Sequence, residues 1–117
     1  MANTLRETSY YELLLWLIGR RKRFQVTGES MLPLLKPGDE ILVNPDAYKK
    51  ALPKINDIIV TYHPDQLGLL IVKRITAIQS QDRYFLTGDN SSASTDSRHW
   101  GTVGLSRIDG KVTSIFR

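Results

Sequence analysis

Three stretches of the sequence carry side chains that can act together on a covalent bond. The first is Thr27-Gly28-Glu29-Ser30-Met31-Leu32-Pro33. A β-rich run ends at Gly28, a serine follows, and Pro33 restricts the backbone just beyond it. The Ser30 hydroxyl is thereby placed at a sharp strand exit, beside backbone N–H groups free of ladder bonds. A nucleophile needs that exposure and an oxyanion needs those donors. The second stretch is Leu69-Leu70-Ile71-Val72-Lys73-Arg74-Ile75, an apolar run broken by two adjacent cations. Neighbours in a strand point to opposite faces, so one of Lys73 and Arg74 must face the apolar side. A lysine desolvated in that way has its pKa lowered and becomes a base at neutral pH.

The third stretch is Gly88-Asp89-Asn90-Ser91-Ser92-Ala93-Ser94-Thr95-Asp96-Ser97-Arg98-His99-Trp100-Gly101. Ser94 can offer a hydroxyl to orient the lysine amine. Asp96 and Arg98 are close enough to pair, and Arg74 is a second candidate partner for Asp96. Taken singly, each stretch has an ordinary reading. A serine after a glycine is usually a turn residue, and a strand lysine commonly carries its head into water. The serine-rich segment Ser91–Ser97 has the composition of a loose polar loop.

The elements that must position these groups are short. Thr4-x-x-Glu7 and Ser9-x-x-Glu12 are competing capping boxes for an N-terminal helix, with Gly19 as its stop. Strands are expected at Arg23–Thr27, Glu40–Val43, Asp57–Tyr62, Leu69–Ile78, Tyr84–Thr87 and Lys111–Phe116. Turn signals at Pro37-Gly38-Asp39, Asn44-Pro45-Asp46, His63-Pro64-Asp65 and Asp109-Gly110 separate them. Many short strands at close spacing predict a mainly β, coiled antiparallel barrel-like domain with one short N-terminal helix. The expected organisation is a single domain over 1–117, with the helix and basic run in 1–22 and the catalytic β domain in 23–117.

Composition narrows the chemistry. The chain has 117 residues, 41% of them hydrophobic and 24% charged, which suits one folded domain with a real core. It has no cysteine, so disulfides, thiolate metal sites and a cysteine nucleophile are excluded. That usage fits a cytoplasmic location. The net charge of +4 is concentrated in the run Arg20–Arg23, which reads as a solvated helix end opposing the helix dipole. The apolar block Leu13–Ile18 falls far short of the roughly 20 residues of a membrane span. Its basic residues follow the apolar core, whereas those of a signal peptide precede it. The expectation is a soluble chain, with peripheral membrane contact through Trp16 and the basic run left open. His63 and His99 lie far apart and are assigned to no metal or triad, and no cofactor is expected.

Together the three stretches resemble the signal peptidase I family of serine–lysine proteases. Ser30-Met31-x-Pro33 is similar to the family's nucleophile motif and Lys73-Arg74 to its general-base motif. Gly88-Asp89-Asn90, Ser94, Asp96-Ser97-Arg98 and Gly101 resemble its third conserved box without a gap. Asp57-Ile58-Ile59-Val60 resembles the remaining box, with Asn56 where a glycine is usual. The resemblance runs from about Phe24 to Lys111. It implies Ser30 as nucleophile, Lys73 as general base and Ser94 as the group that orients Lys73. Asp96, Arg98 and Arg74 would brace the loop, and Gly28 and Met31 would belong to the nucleophile turn and substrate cleft. Gly28 stands where some members carry a serine as an oxyanion donor, so the hole would rely on the Ser30 N–H. The partner implied is a precursor protein bound as an extended strand, with small side chains before the cut. Within the family the likeness is to the short, anchorless proteases that mature nickel-containing superoxide dismutase, whose pro-form is then the expected substrate. A general signal peptidase acting on secreted precursors is the alternative. A small basic β-barrel binding nucleic acid is the alternative of another class. It is disfavoured because the aromatic residues form no stacking platform. A self-cleaving repressor with the same dyad is disfavoured because only 29 residues precede Ser30, with no Ala-Gly or Cys-Gly pair among them.

Overall fold

The computed structural model describes residues 5–80 and 82–116. Helix α1 spans Tyr10–Leu17. The strands are β1 (Lys22–Gln25), β2 (Glu40–Asn44), β3 (Ile58–Tyr62), β4 (Leu70–Ser80), β5 (Arg83–Thr87), β6 (Val103–Gly104) and β7 (Ile108–Phe116). A four-residue helix α2, Ser97–Trp100, lies between β5 and β6. The strands form one antiparallel sheet in the order β1-β2-β7-β3-β4-β5-β6. The two ends of that order do not pair with each other, so the sheet coils without closing into a barrel. Register shifts at Leu42/Val43, Val60/Thr61, Ile75/Ala77 and Ile78/Ser80 supply the extra local twist that coiling needs.

Coiling buries both faces of the central strands. Ile58 and Val60 join one apolar cluster with Val26, Met31, Leu35, Ile41, Val43, Val112 and Ile115. Their neighbour Ile59 faces the other way, into a second cluster with Ile75, Tyr84, Leu86 and Val103. That is why β3 reads as an unbroken Ile-Ile-Val run rather than an alternating one. Just before it Asn56 takes φ +79, a left-handed conformation in which asparagine is the usual stand-in for glycine.

At the N-terminus Ser9 is the cap of α1: its hydroxyl accepts from the Glu12 N–H. Thr4 lies outside the described residues. Gly19, at φ +82, closes the helix, its N–H donating to the Trp16 carbonyl. The basic run does not belong to the helix end, because α1 has already stopped, and although Arg20, Lys22 and Arg23 are exposed most of the run is engaged with carboxylates. Arg21 pairs with buried Glu12, Lys22 with Asp109 and Arg23 with Glu40. Arg23 also lies over the rings of Trp16 and Phe116, which meet edge to face. Tyr10, Tyr11, Leu14, Leu17 and Ile18 form a contiguous exposed face of α1. Among the described residues no helix is long and apolar enough to cross a membrane.

Glu12 is the docking point of α1, taking hydrogen bonds from Arg21 and from the Thr113 hydroxyl of β7. Glu12→Ala leaves both donors without their carboxylate. It is expected to cost about 1–3 kcal/mol in urea denaturation, with Glu12→Gln losing less.

Candidate active site

The turn that carries Ser30 is built by closing β1 onto the Pro37-Gly38-Asp39 turn. The Val26 N–H donates to the Asp39 carbonyl and the Gly38 N–H returns to the Val26 carbonyl, at 2.7 and 2.8 Å. The chain then turns at Gly28, whose φ of +75 favours glycine and strains any serine placed there. Met31 and Leu35 are fully buried and anchor the far side of the turn. The Leu32–Pro33 peptide is cis. Ser30 is half-buried and lines a cavity of about 260 Å³ with Met31, Gln25–Thr27 and Leu69–Lys73.

Lys73 reaches that cavity from β4, directly opposite Ile59, and is 4% exposed. One of the two adjacent cations was expected to face apolar surroundings; both are buried, because both faces of β3 and β4 are covered. Burial pushes the Lys73 amine below the ordinary lysine value. Nearby Asp96 opposes the shift and Arg98 adds to it. The amine donates to Ser94 Oγ at 3.0 Å.

Ser94 in turn donates to Asp96 Oδ2 at 2.7 Å. An ionised carboxylate only accepts, so the single Ser94 proton is committed to Asp96 and its oxygen can only accept from Lys73. A neutral Lys73 amine bonded in this way spends one N–H on Ser94 and keeps its lone pair free for another proton. Asp96 is itself fully buried. Burial raises its carboxyl, but donors from Arg98 (2.8 and 2.6 Å), the Gly88 N–H (2.9 Å) and Ser94 outweigh this and hold it well below the usual range. Its contribution to stability is present above the ordinary aspartate pKa and is lost only as pH falls through that depressed value.

The serine-rich stretch is therefore not a loose loop. Residues Ser91–Ala93 make a 3-10 turn, and Asp96 caps α2, where its side chain and that of His99 form a capping box. Ser94, Asp96 and Ser97 are buried, and Ser97 Oγ accepts the Leu86 N–H. The side chains of Ser94, Asp96 and Ser97 are consumed in internal hydrogen bonds, which composition cannot reveal. Arg74 does not pair with Asp96. It makes a two-pronged pair with Asp89 at 2.8 and 2.9 Å and donates to the Asn56 carbonyl. Asp89 and Asn90 thus join the site, although the sequence marked them only as part of a motif. Gly88 is there for space: a Cβ would stand 2.6 Å from the Ser30 carbonyl oxygen and 2.7 Å from Ser94 Cβ.

The family described as signal peptidase, peptidase S26, matches residues 13–81 and 79–117. Among curated proteins, the mitochondrial ATP-independent inner membrane protease subunit 1a of Arabidopsis thaliana is 31% identical over 109 aligned residues. The match takes in 74% of this chain and 65% of that protein, so the chain spans just under two thirds of its relative's length.

Two variants test the geometry. Lys73→Met removes a buried amine without creating a cavity, and at neutral pH it is expected to raise the thermal midpoint by a few degrees. Native Lys73 binds a proton less readily than the unfolded chain does. The gain is therefore largest at low pH and closes as pH rises toward the ordinary lysine value, about 10.4. Gly88→Ala, in contrast, is expected to lower the midpoint and to destroy any chemistry that needs Ser30 beside Ser94, because the added methyl meets backbone on one side.

Proposed function

The chain belongs to the signal peptidase family, and on that premise we propose that it is a serine endopeptidase with Ser30 as nucleophile and Lys73 as general base. The observation that carries this reading is a lysine amine that is buried, oriented by Ser94 and facing the same cavity as Ser30. Neutral Lys73 takes the Ser30 proton as Oγ attacks the scissile carbonyl. The Ser30 N–H receives the developing oxyanion, and the Lys73 ammonium gives its proton to the leaving amine. Lys73 then takes a proton from water as that water attacks the acyl-enzyme, and returns it to Ser30 Oγ as the acyl bond breaks, restoring the serine hydroxyl and the neutral amine. A lysine needs no third residue to set a tautomer; it needs only desolvation and one fixed hydrogen bond.

The substrate is a precursor protein bound as an added strand. Residues Leu70–Lys73 pair with β3 on one side, whereas β5 joins the other side of β4 only from Arg74 onward. The cavity lies between that unpaired edge and Gln25–Thr27. An extended peptide laid there gains main-chain hydrogen bonds and brings its carbonyl to Ser30. For the individual substrate we propose the pro-form of a nickel-containing superoxide dismutase, shortened at its N-terminus so that the metal-binding hook begins at the new end. This choice rests on the sequence resemblance. A second reading, removal of leaders from secreted precursors at a bilayer, is favoured by the exposed face of α1 formed by Tyr10, Tyr11, Leu14, Leu17 and Ile18. Flotation with phospholipid vesicles separates the two: the first leaves the protein in the aqueous fraction and the second carries it up with the lipid.

Incubating the protein with the dismutase precursor and weighing the products intact is expected to show one cut, lost by at least about 10³-fold in Ser30→Ala and in Lys73→Ala. Cleavage by Lys73→Ala at the parental rate would overturn the dyad. Since only the neutral amine accepts a proton, kcat/KM is expected to rise with pH and to level off below the ordinary lysine pKa. A rate independent of pH between about 6 and 10 would assign the base elsewhere.

A further inference from the structure

Asn90 grips the nucleophile from both sides. Its side-chain Nδ2 donates to the Glu29 carbonyl at 3.0 Å, and its backbone N–H donates to the Ser30 carbonyl at 2.8 Å. A peptide unit is planar, with its C=O and N–H pointing in opposite directions. The Glu29 carbonyl shares its plane with the Ser30 N–H, so holding one end aims the other. The Ser30 carbonyl likewise shares its plane with the Met31 N–H. We propose that Asn90 is a positioning residue that aims the Ser30 N–H at the oxyanion through its grip on the Glu29 carbonyl. The proposal rests on the protease reading above and adds to it a residue with no contact to the reacting atoms.

Several observations make the grip specific. The amide is oriented by a second bond, because the Ser92 hydroxyl donates to Asn90 Oδ1 at 3.2 Å and leaves Nδ2 facing Glu29. The Asn90 carbonyl accepts the Ala93 N–H, which fixes the backbone from which the side chain springs. The segment it holds needs holding: Gly28 and Glu29 are exposed, and position 28 carries no side chain to act as a donor. The grip also has a firm base. Asp89, the preceding residue, is clamped by Arg74, and Arg74 follows Lys73 on β4. Two consecutive pairs, Lys73-Arg74 and Asp89-Asn90, therefore tie the base and the nucleophile turn into one rigid unit.

The experiment compares Asn90→Ala, Asn90→Asp and Ser92→Ala with the parental protein and with Ser30→Ala on the same precursor. It adds binding of a peptide aldehyde, which forms a tetrahedral adduct on the serine. Asn90→Ala is expected to lower kcat by about 10–100-fold with KM changed less than about twofold. Aldehyde affinity should fall in parallel, while the pH at which activity half-rises stays unmoved because Lys73 is untouched. Asn90→Asp should be worse, since a carboxylate cannot donate to Glu29 and adds charge near the oxyanion. Ser92→Ala, at an exposed position, should give a smaller loss of the same kind even where an Asn90 variant folds poorly. A loss carried by KM, or aldehyde binding unchanged in Asn90→Ala, would overturn the proposal. If the parental protein cleaves and Asn90→Ala matches it, this inference alone fails; if the parental protein neither cleaves nor takes up the aldehyde, the protease reading fails with it.

Discussion

The fold is arranged around one costly act, the burial of the Lys73 amine. An ammonium in that position has lost most of its hydration, and the molecule relieves the cost by favouring the neutral form. Burial and Arg98 favour the neutral amine, Asp96 opposes them, and Ser94 fixes the direction in which the amine points. Asp96 alone would draw a proton onto Lys73, but Arg98 sits on the same carboxylate and offsets that attraction. Ser94 stands between them and passes on direction without charge. The result is a buried carboxylate that supplies orientation through Ser94 and whose pull on the Lys73 proton Arg98 offsets only in part.

The arrangement follows from the sheet. Because β3 and β4 are covered on both faces, adjacent residues can serve two different purposes at the same depth. Lys73 faces the cavity with Ser30, and Arg74, one residue on, faces away and clamps Asp89. A sheet with one wet face would send one of these cations to solvent. The coiling introduced by the register shifts is thus what allows the buried amine and the clamp on Asp89 to be neighbours in sequence.

Much of this was legible in the residues. The helix, the main strands and the antiparallel coiled sheet follow from capping residues, turn signals and short β-rich runs, and they are found within a few residues of where those signals put them. The short strand Val103–Gly104 and the early start of β7 at Ile108 escaped, because two or three paired residues leave no periodicity. Ser30, Lys73, Ser94 and Asp96 could be nominated from type and order. The partner of Arg74 could not: Asp89 and Asp96 are both acidic, and only the turn at Ser91–Ala93 decides which one faces β4. The basic run misled for a related reason. Charge shows exposure, which Arg20, Lys22 and Arg23 have, but not partners, and Arg21 and Arg23 are engaged by Glu12, Glu40 and the rings of Trp16 and Phe116. The role of Gly88 was also hidden, since its φ is ordinary and the requirement is the absence of a side chain between Ser30 and Ser94.

The unpaired edge beside Lys73 has the same origin as the orientation of its amine. A ladder partner for Leu70–Lys73 would come from a continuation of β5 beyond Thr87. There the Gly88 N–H turns instead to Asp96 Oδ2, and the strand ends. The carboxylate that fixes Ser94 therefore also stops the neighbouring strand and leaves main-chain groups of β4 open at the level of the amine. Open edges invite association with other chains, and proteins blunt them with charge. The outer strand β1 is blunted in this way by Lys22 and Arg23, whereas Leu69–Val72 carries no charge at all. On the proposed reading that difference is functional: the apolar edge is left for a substrate strand, and the charged one closes the sheet. Removing Asp96 would then disturb two things at once, the orientation of Lys73 and the end of β5, so the losses from Asp96 and Lys73 substitutions cannot be additive.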